Sequence, residues 1–170
     1  TGPADLTELV LTLGSYMVVM GGKAGTTDQA RQLLEQTIAD GTAYDRFKAM
    51  VVAQGGDPRV MDDYQVMPQA KYQIPYRAKR TGVITKLTAD EIGTASMLLG
   101  GGRQKADDQL DYSVGIELHH KLGDHVKAGE PLLTIYSNRQ EIKNVEQLLD
   151  ESIEIGDHGE QPPLIHEIIE

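Results

Sequence analysis

The sequence predicts a mixed α/β (α+β) protein in which helices come first and a small β-rich lobe follows. Three observations carry this. Apolar residues recur at helical spacing between glycine stops through the first third of the chain. From about residue 70, β-branched and aromatic residues alternate with polar ones over short runs. Hydrophobic residues make up 39% and charged residues 25% of the 170 residues, which places the chain among ordinary globular proteins with a core to bury.

The helical segment, 1–69, is punctuated clearly. In Asp5-Leu6-Thr7-Glu8 an N-cap carboxylate stands three residues before a Glu that can bond back to it. Leu6, Leu9, Val10, Leu13 and Met17 then form an apolar stripe that ends at Gly21-Gly22. Thr26 with Gln29 repeats the capping box, Ala30, Leu33, Leu34 and Ile38 supply the next stripe, and Gly41 fits a left-handed C-cap. Thr42 opens a third helix with Phe47, Met50 and Val51, and Asp57-Pro58 predicts a short helical turn. These stripes need more apolar surface than the three helices offer one another.

In the second segment, 70–170, Tyr72 to Tyr76 and Gly82 to Leu87 read as strands. Thr88-Ala89-Asp90-Glu91 is a further capping box and opens a helix reaching Leu99, stopped by Gly100-Gly101-Gly102. Ser113 to His119 alternates as a strand, Gly123 to Glu130 is a polar turn, and Pro131 to Tyr136 is a strand. Arg139 to Leu149 reads as helix, Ile153 to Ile155 as strand, and Leu164 to Ile169 as a last strand.

Composition excludes several classes of function. The formal charge is −10 and no Lys/Arg stripe stands out, so nucleic acid and anionic membrane are poor partners. No apolar run approaches the roughly 20 residues of a membrane span. With no Cys and no signal-peptide pattern, a cytoplasmic location is expected. The start at Thr1-Gly2-Pro3, without Met, suggests a processed or truncated piece.

No catalytic signature stands out. Gly21-Gly22-Lys23-Ala24-Gly25-Thr26-Thr27 resembles a phosphate loop, but its Lys precedes the last Gly and no strand leads in, so it reads as a helix connection. His119, His120 and His125 lack metal-ligand spacing and read as polar residues around a turn. The pairs Asp62-Asp63 and Asp107-Asp108 sit in polar stretches, where nothing tunes a carboxyl for acid–base work. The block expected to matter runs from Gly100 to Asp111. Gly100, Gly101 and Gly102 free the backbone, Arg103 and Lys105 add cationic donors, and Asp111 closes the stretch. It reads equally as a mobile lid or as a disordered surface loop.

Gly123-Asp124-His125-Val126-Lys127-Ala128-Gly129-Glu130-Pro131-Leu132-Leu133-Thr134-Ile135 resembles the turn and strand of the biotinyl/lipoyl barrel-sandwich hybrid. A carrier domain would present a lysine at a tight hairpin between the two halves. Here that interval holds a capped helix and a glycine-rich loop, with Lys86 in a strand and Lys105 in the loop. A structural, barrel-sandwich-hybrid-like lobe is therefore expected. A stand-alone carrier or a structural interaction module remains the alternative.

Longer strings carry a wider resemblance. They are Gly2-Pro3 with Asp5 to Ser15, Ala53-Gln54-Gly55-Gly56-Asp57, Leu87 to Arg103, and Gly123 to Glu130. Together they resemble the C-terminal part of the pyrimidine-nucleoside and thymidine phosphorylases over essentially the whole chain. The resemblance implies the C-terminal part of a large mixed α/β domain, in an enzyme that exchanges a pyrimidine base for phosphate and releases (deoxy)ribose 1-phosphate. Phosphate is then the co-substrate. The phosphate and nucleoside motifs, and the ligands of a possible potassium ion, lie upstream, so no catalytic or metal-binding residue is assigned to this chain and no cofactor is expected in it. Its partners would be the N-terminal part of the same enzyme and, through the full enzyme, nucleoside and phosphate, within a homodimer. The Gly100–Asp111 loop corresponds to one that lies near the cleft and orders as the domains close.

Overall fold

A computed structural model describes residues 2–169; Thr1, on which the expectation of a truncated start rests, lies outside the described residues. The chain divides into two units, one taking in residues 2–64 with 163–169 and the other Gln65–Pro162.

The first unit is helical: α1 (Ala4–Met20), α2 (Thr27–Ala39) and α3 (Thr42–Ala53), then a short 3-10 turn at Pro58–Met61. Thr26 caps α2 as expected: its hydroxyl accepts from Gln29 N at 3.2 Å while Gln29 Oε1 accepts from Gly25 N at 3.1 Å. Asp57 caps the 3-10 turn by accepting from Arg59 N. The box expected at Asp5 does not form. The helix starts two residues earlier, with Pro3 at the N-cap position, Asp5 accepts from Leu6 N, and Glu8 turns instead to Arg31 of α2, at 2.6 and 3.0 Å. Gly14 lets α2 close in, since a Cβ there would stand 2.9 Å from Leu34 Cδ1. A conjugate stripe stays outside: Leu6, Val10, Leu13 (56% exposed) and Met17 (71% exposed) of α1, Leu33 and Ile38 of α2, and Phe47 and Met50 of α3. The helices thus bury only part of the apolar face that their periodicity marks.

The second unit holds two small antiparallel sheets and two helices. The strands are β1 (Tyr72–Arg77), β2 (Gly82–Leu87), β3 (Gly115–Leu118), β4 (His125–Val126), β5 (Pro131–Ser137) and β6 (Ile153–Gly156). One sheet has the order β1-β5-β3 and the other β4-β2-β6. Helix α4 (Ala89–Ser96) follows β2 and α5 (Lys143–Ser152) leads into β6. Pro75 is tolerated because β1 is an edge strand, where a missing N–H breaks no inner ladder. The core gathers Ile84, Ile92, Ala95, Leu133, Ile135, Ile142, Val145 and Leu149 between the sheets and helices.

Several expectations shift. The box at Thr88 does not close, because its amide and hydroxyl both turn to the Ser152 carbonyl. Helix α5 begins at Lys143 rather than Arg139, because Asn138 and Arg139 are spent on other hydrogen bonds. Strand β3 loses Ser113 to an Asp111 turn. His125 and Val126, read as part of a polar turn, pair with Val83 and Gly82. Leu164 to Ile169 forms no strand: it alternates correctly but no strand pairs with it, and Leu164, Ile168 and Ile169 are exposed.

Candidate functional site

The singled-out segment leaves α4 through a π-helical turn, Met97–Gly101, in which Gly100 takes φ +112° and ψ 0°. Only glycine adopts that backbone without strain. The Gly100 carbonyl accepts from Asp111 N at 3.0 Å, which ties the two ends of the loop together. Gly101 and Gly102 lie against the preceding turn. A Cβ on the first would stand 3.1 Å from Ser96 Oγ, and on the second 3.0 Å from Met97 Cβ. Two of the three glycines therefore serve close packing as well as freedom.

At the tip, Asp108 Oδ2 accepts from Gln104 N at 3.0 Å and Lys105 N at 2.9 Å, while Asp108 N donates to the Lys105 carbonyl. The loop carries its own turn, organised by a carboxylate that reads in the sequence as merely solvated. Arg103 and Lys105 project from this turn, exposed, and their side chains have no hydrogen-bond or ion-pair partner among the described residues.

At the base, Asp111 Oδ1 accepts from Ser113 Oγ at 2.6 Å and Ser113 N at 3.0 Å. Its Oδ2 accepts from Asn138 Nδ2 at 2.7 Å. These donors, the Ser113 hydroxyl first, then its amide, then Asn138, hold the Asp111 carboxyl below the usual carboxylate range. Asn138 Nδ2 also donates to Ser113 Oγ at 2.8 Å, and its Oδ1 accepts from Lys71 N at 3.0 Å. The adjacent Arg139 donates to the Leu98 carbonyl at 2.6 Å. The structure thus brings Gly100 and Asp111 together and leaves Arg103 and Lys105 outward. It adds Ser113, Asn138 and Arg139, which the sequence reading missed. The spacing Asp111-x-Ser113, a side chain bonding its own backbone two residues on, is the signal that could have pointed there.

The remaining candidates separate. His119 Nε2 meets Thr134 Oγ1 at 2.7 Å, while His120 lies between Asp124 and Glu130 at 3.9 and 3.5 Å. His125 stands in β4, and among the described residues no three His, Asp or Glu side chains converge as metal ligands. Asp62 accepts from Lys48 Nζ at 2.7 Å and Tyr44 Oη at 2.5 Å, and these donors lower its carboxyl pKa. Lys86 Nζ donates to the Glu151 carbonyl at 2.7 Å, tying it to α5 rather than offering it as a carrier.

Residues 83–156, which include the whole loop and its base, match the family model for the pyrimidine nucleoside phosphorylase C-terminal domain. The chain is also 54% identical over 168 residues to the pyrimidine-nucleoside phosphorylase of Staphylococcus haemolyticus (strain JCSC1435). Residues 83–156 thus carry a pyrimidine nucleoside phosphorylase C-terminal domain, and the chain as a whole is similar to a portion of such phosphorylases. The corresponding protein of Staphylococcus aureus (strain USA300) is 53% identical over the same length. These alignments take in 99% of this chain but 39% of each relative, so the chain spans about two-fifths of the length of the phosphorylases that it matches.

Proposed function

We infer that this phosphorylase portion serves an enzyme that phosphorolyses pyrimidine nucleosides, and that it contributes scaffold and a lid rather than the reacting groups. A phosphate oxygen attacks the anomeric carbon, the glycosidic C–N bond breaks, and the base leaves with a proton, giving (deoxy)ribose 1-phosphate. The observation that supports this reading is identity of 54% across nearly the whole chain to a protein named for that reaction. The alternative of a biotinyl/lipoyl-like carrier is not favoured, because Lys86 is bonded in place and Lys105 leaves a turn organised by Asp108.

In this reading the loop from Gly100 to Asp111 closes over chemistry carried by the N-terminal part. Arg103 and Lys105, unpaired and outward, are free to meet an anionic or polar cleft. Closure excludes water, which would otherwise intercept an oxocarbenium-like transition state in place of phosphate. The exposed stripe of Leu6, Val10, Leu13 and Met17 fits burial against the N-terminal part. The ligands of a potassium ion are expected mostly in the upstream part of the enzyme. The reading extends to a cytoplasmic homodimer; the absence of Cys suits that compartment, and the resemblance alone carries the dimer.

The test is kinetic. In a protein of the relatives' full length carrying this domain, Arg103→Ala and a shortened 101–110 loop should each lower kcat/KM for phosphate-dependent base release. Unchanged kcat and KM for both variants would remove the lid from the account.

A further inference from the structure

The loop from Gly101 to Leu110 has two feet, and one short segment holds both. The entry foot is the Leu98 carbonyl, bound by the Arg139 guanidinium, together with Gly100, whose carbonyl takes the Asp111 amide. The exit foot is Asp111 with Ser113, bound by the Asn138 carboxamide. Asn138 and Arg139 are consecutive and directly follow β5, whose Leu133 and Ile135 are fully buried. Ser137, itself buried, fixes the direction of this segment, its hydroxyl donating to the Arg139 carbonyl and accepting from the Arg139 amide. A rigid core strand therefore ends in a two-residue clamp on the base of the loop. Asn138 uses both ends of its amide: Nδ2 on the loop foot, Oδ1 on Lys71 N at the start of β1.

We propose that Asn138 is a positioning residue for the loop, holding its exit foot through Asp111 so that Arg103 and Lys105 are delivered to one place when the loop closes. The role rests on the lid reading above. It extends that reading by assigning the order of the base to the Asn138–Asp111 pair. A carboxamide is required because only one partner of the pair supplies a proton: Asp111, ionised, only accepts, and Asn138 Nδ2 donates. Asn138→Asp would face two carboxylates across a hydrogen-bond distance. The double variant Asn138→Asp with Asp111→Asn would restore one donor and one acceptor with the positions exchanged.

The experiment uses a protein of the relatives' full length, with hydrogen exchange and steady-state kinetics on the same preparations. In Asn138→Asp, the amides of Asp111 and Ser113 should exchange about tenfold faster, the scale of losing one charge-assisted hydrogen bond, while Lys71 N keeps an acceptor oxygen at position 138. Amides of Leu133 and Ile135 should be unchanged, which separates loosening from misfolding. KM for nucleoside should rise by about the same factor, with kcat little changed, because order is lost from the free enzyme and restored on binding. The double variant should recover both measurements. Unchanged exchange in Asn138→Asp, or failure of the double variant to recover either measurement, overturns the proposal. Faster exchange with unaltered KM also overturns it. Arg103→Ala, measured alongside, then says whether the lid reading falls too: if it lowers kcat/KM the lid stands without the clamp, and if it is silent both fall.

Discussion

Two glycines seven residues apart should answer the same substitution with opposite signs. Gly93 lies on the exposed face of α4, and a Cβ there would meet nothing within 4 Å. Gly93→Ala removes backbone freedom from the unfolded chain and should stabilise by about 0.4–1 kcal/mol. Gly100 also has room, since its nearest neighbour would be Asp111 Cβ at 3.6 Å, so sterics with the surroundings do not decide its case. Its φ of +112° does. Gly100→Ala should cost about 1–3 kcal/mol of backbone strain. The two variants should therefore differ by roughly 1.5–4 kcal/mol, or by several degrees in Tm at about 2–4 °C per kcal/mol for a chain of this size. Both lie in the Gln65–Pro162 unit, so urea or thermal unfolding followed by circular dichroism reads the same transition for each. A Gly100→Ala protein as stable as wild type would mean that the loop base does not need a left-handed residue, and the description of the entry foot would be wrong.

The Asp111 carboxyl lies below its ordinary value in the folded protein, so its contribution is complete above the unfolded pKa and fades as pH falls through the folded one. The Tm advantage of wild type over Asp111→Asn should hold from neutral pH to about 5 and shrink below about 4; an advantage that grows on acidification would contradict this. Leu133→Ala, at a position with no exposure, should cost about 2–5 kcal/mol in denaturant unfolding, whereas Met17→Ala, 71% exposed, should fall within about 0.5 kcal/mol of wild type in the isolated chain. The exposed stripe on α1 should make the isolated chain self-associate at rising concentration in sedimentation experiments, and Leu13→Lys should reduce that association without lowering helix content.

Much of the fold is legible because it is local. Thr26 with Gln29, and Asp57 with Pro58, are caps whose partners stand within a few residues, and both form. Strands β2 and β5 follow from alternation and bounding turns. Two other boxes, at Asp5 and Thr88, are outbid by partners distant in sequence, Arg31 for Glu8 and the Ser152 carbonyl for Thr88. The α1 stripe shows the same limit: its period identifies an apolar face but not what covers it, and Leu13 and Met17 stay exposed. At the candidate site the glycines and cations were visible as a composition. The clamp was not, because Asn138 meets Asp111 across 27 residues and only the return of β5 beside the loop brings them together.

A protein of the relatives' full length that carries this chain should perform a phosphorolysis that the chain alone cannot. The direct measurement is phosphate-dependent release of uracil or thymine from uridine or thymidine, with the pentose 1-phosphate assayed in parallel. It should be run on this chain alone and on a protein of the relatives' full length that contains it. No release is expected from the chain alone, and equal amounts of base and sugar phosphate are expected from the longer protein. Base release by this chain alone, or none by the longer protein in the presence of phosphate, would contradict that expectation.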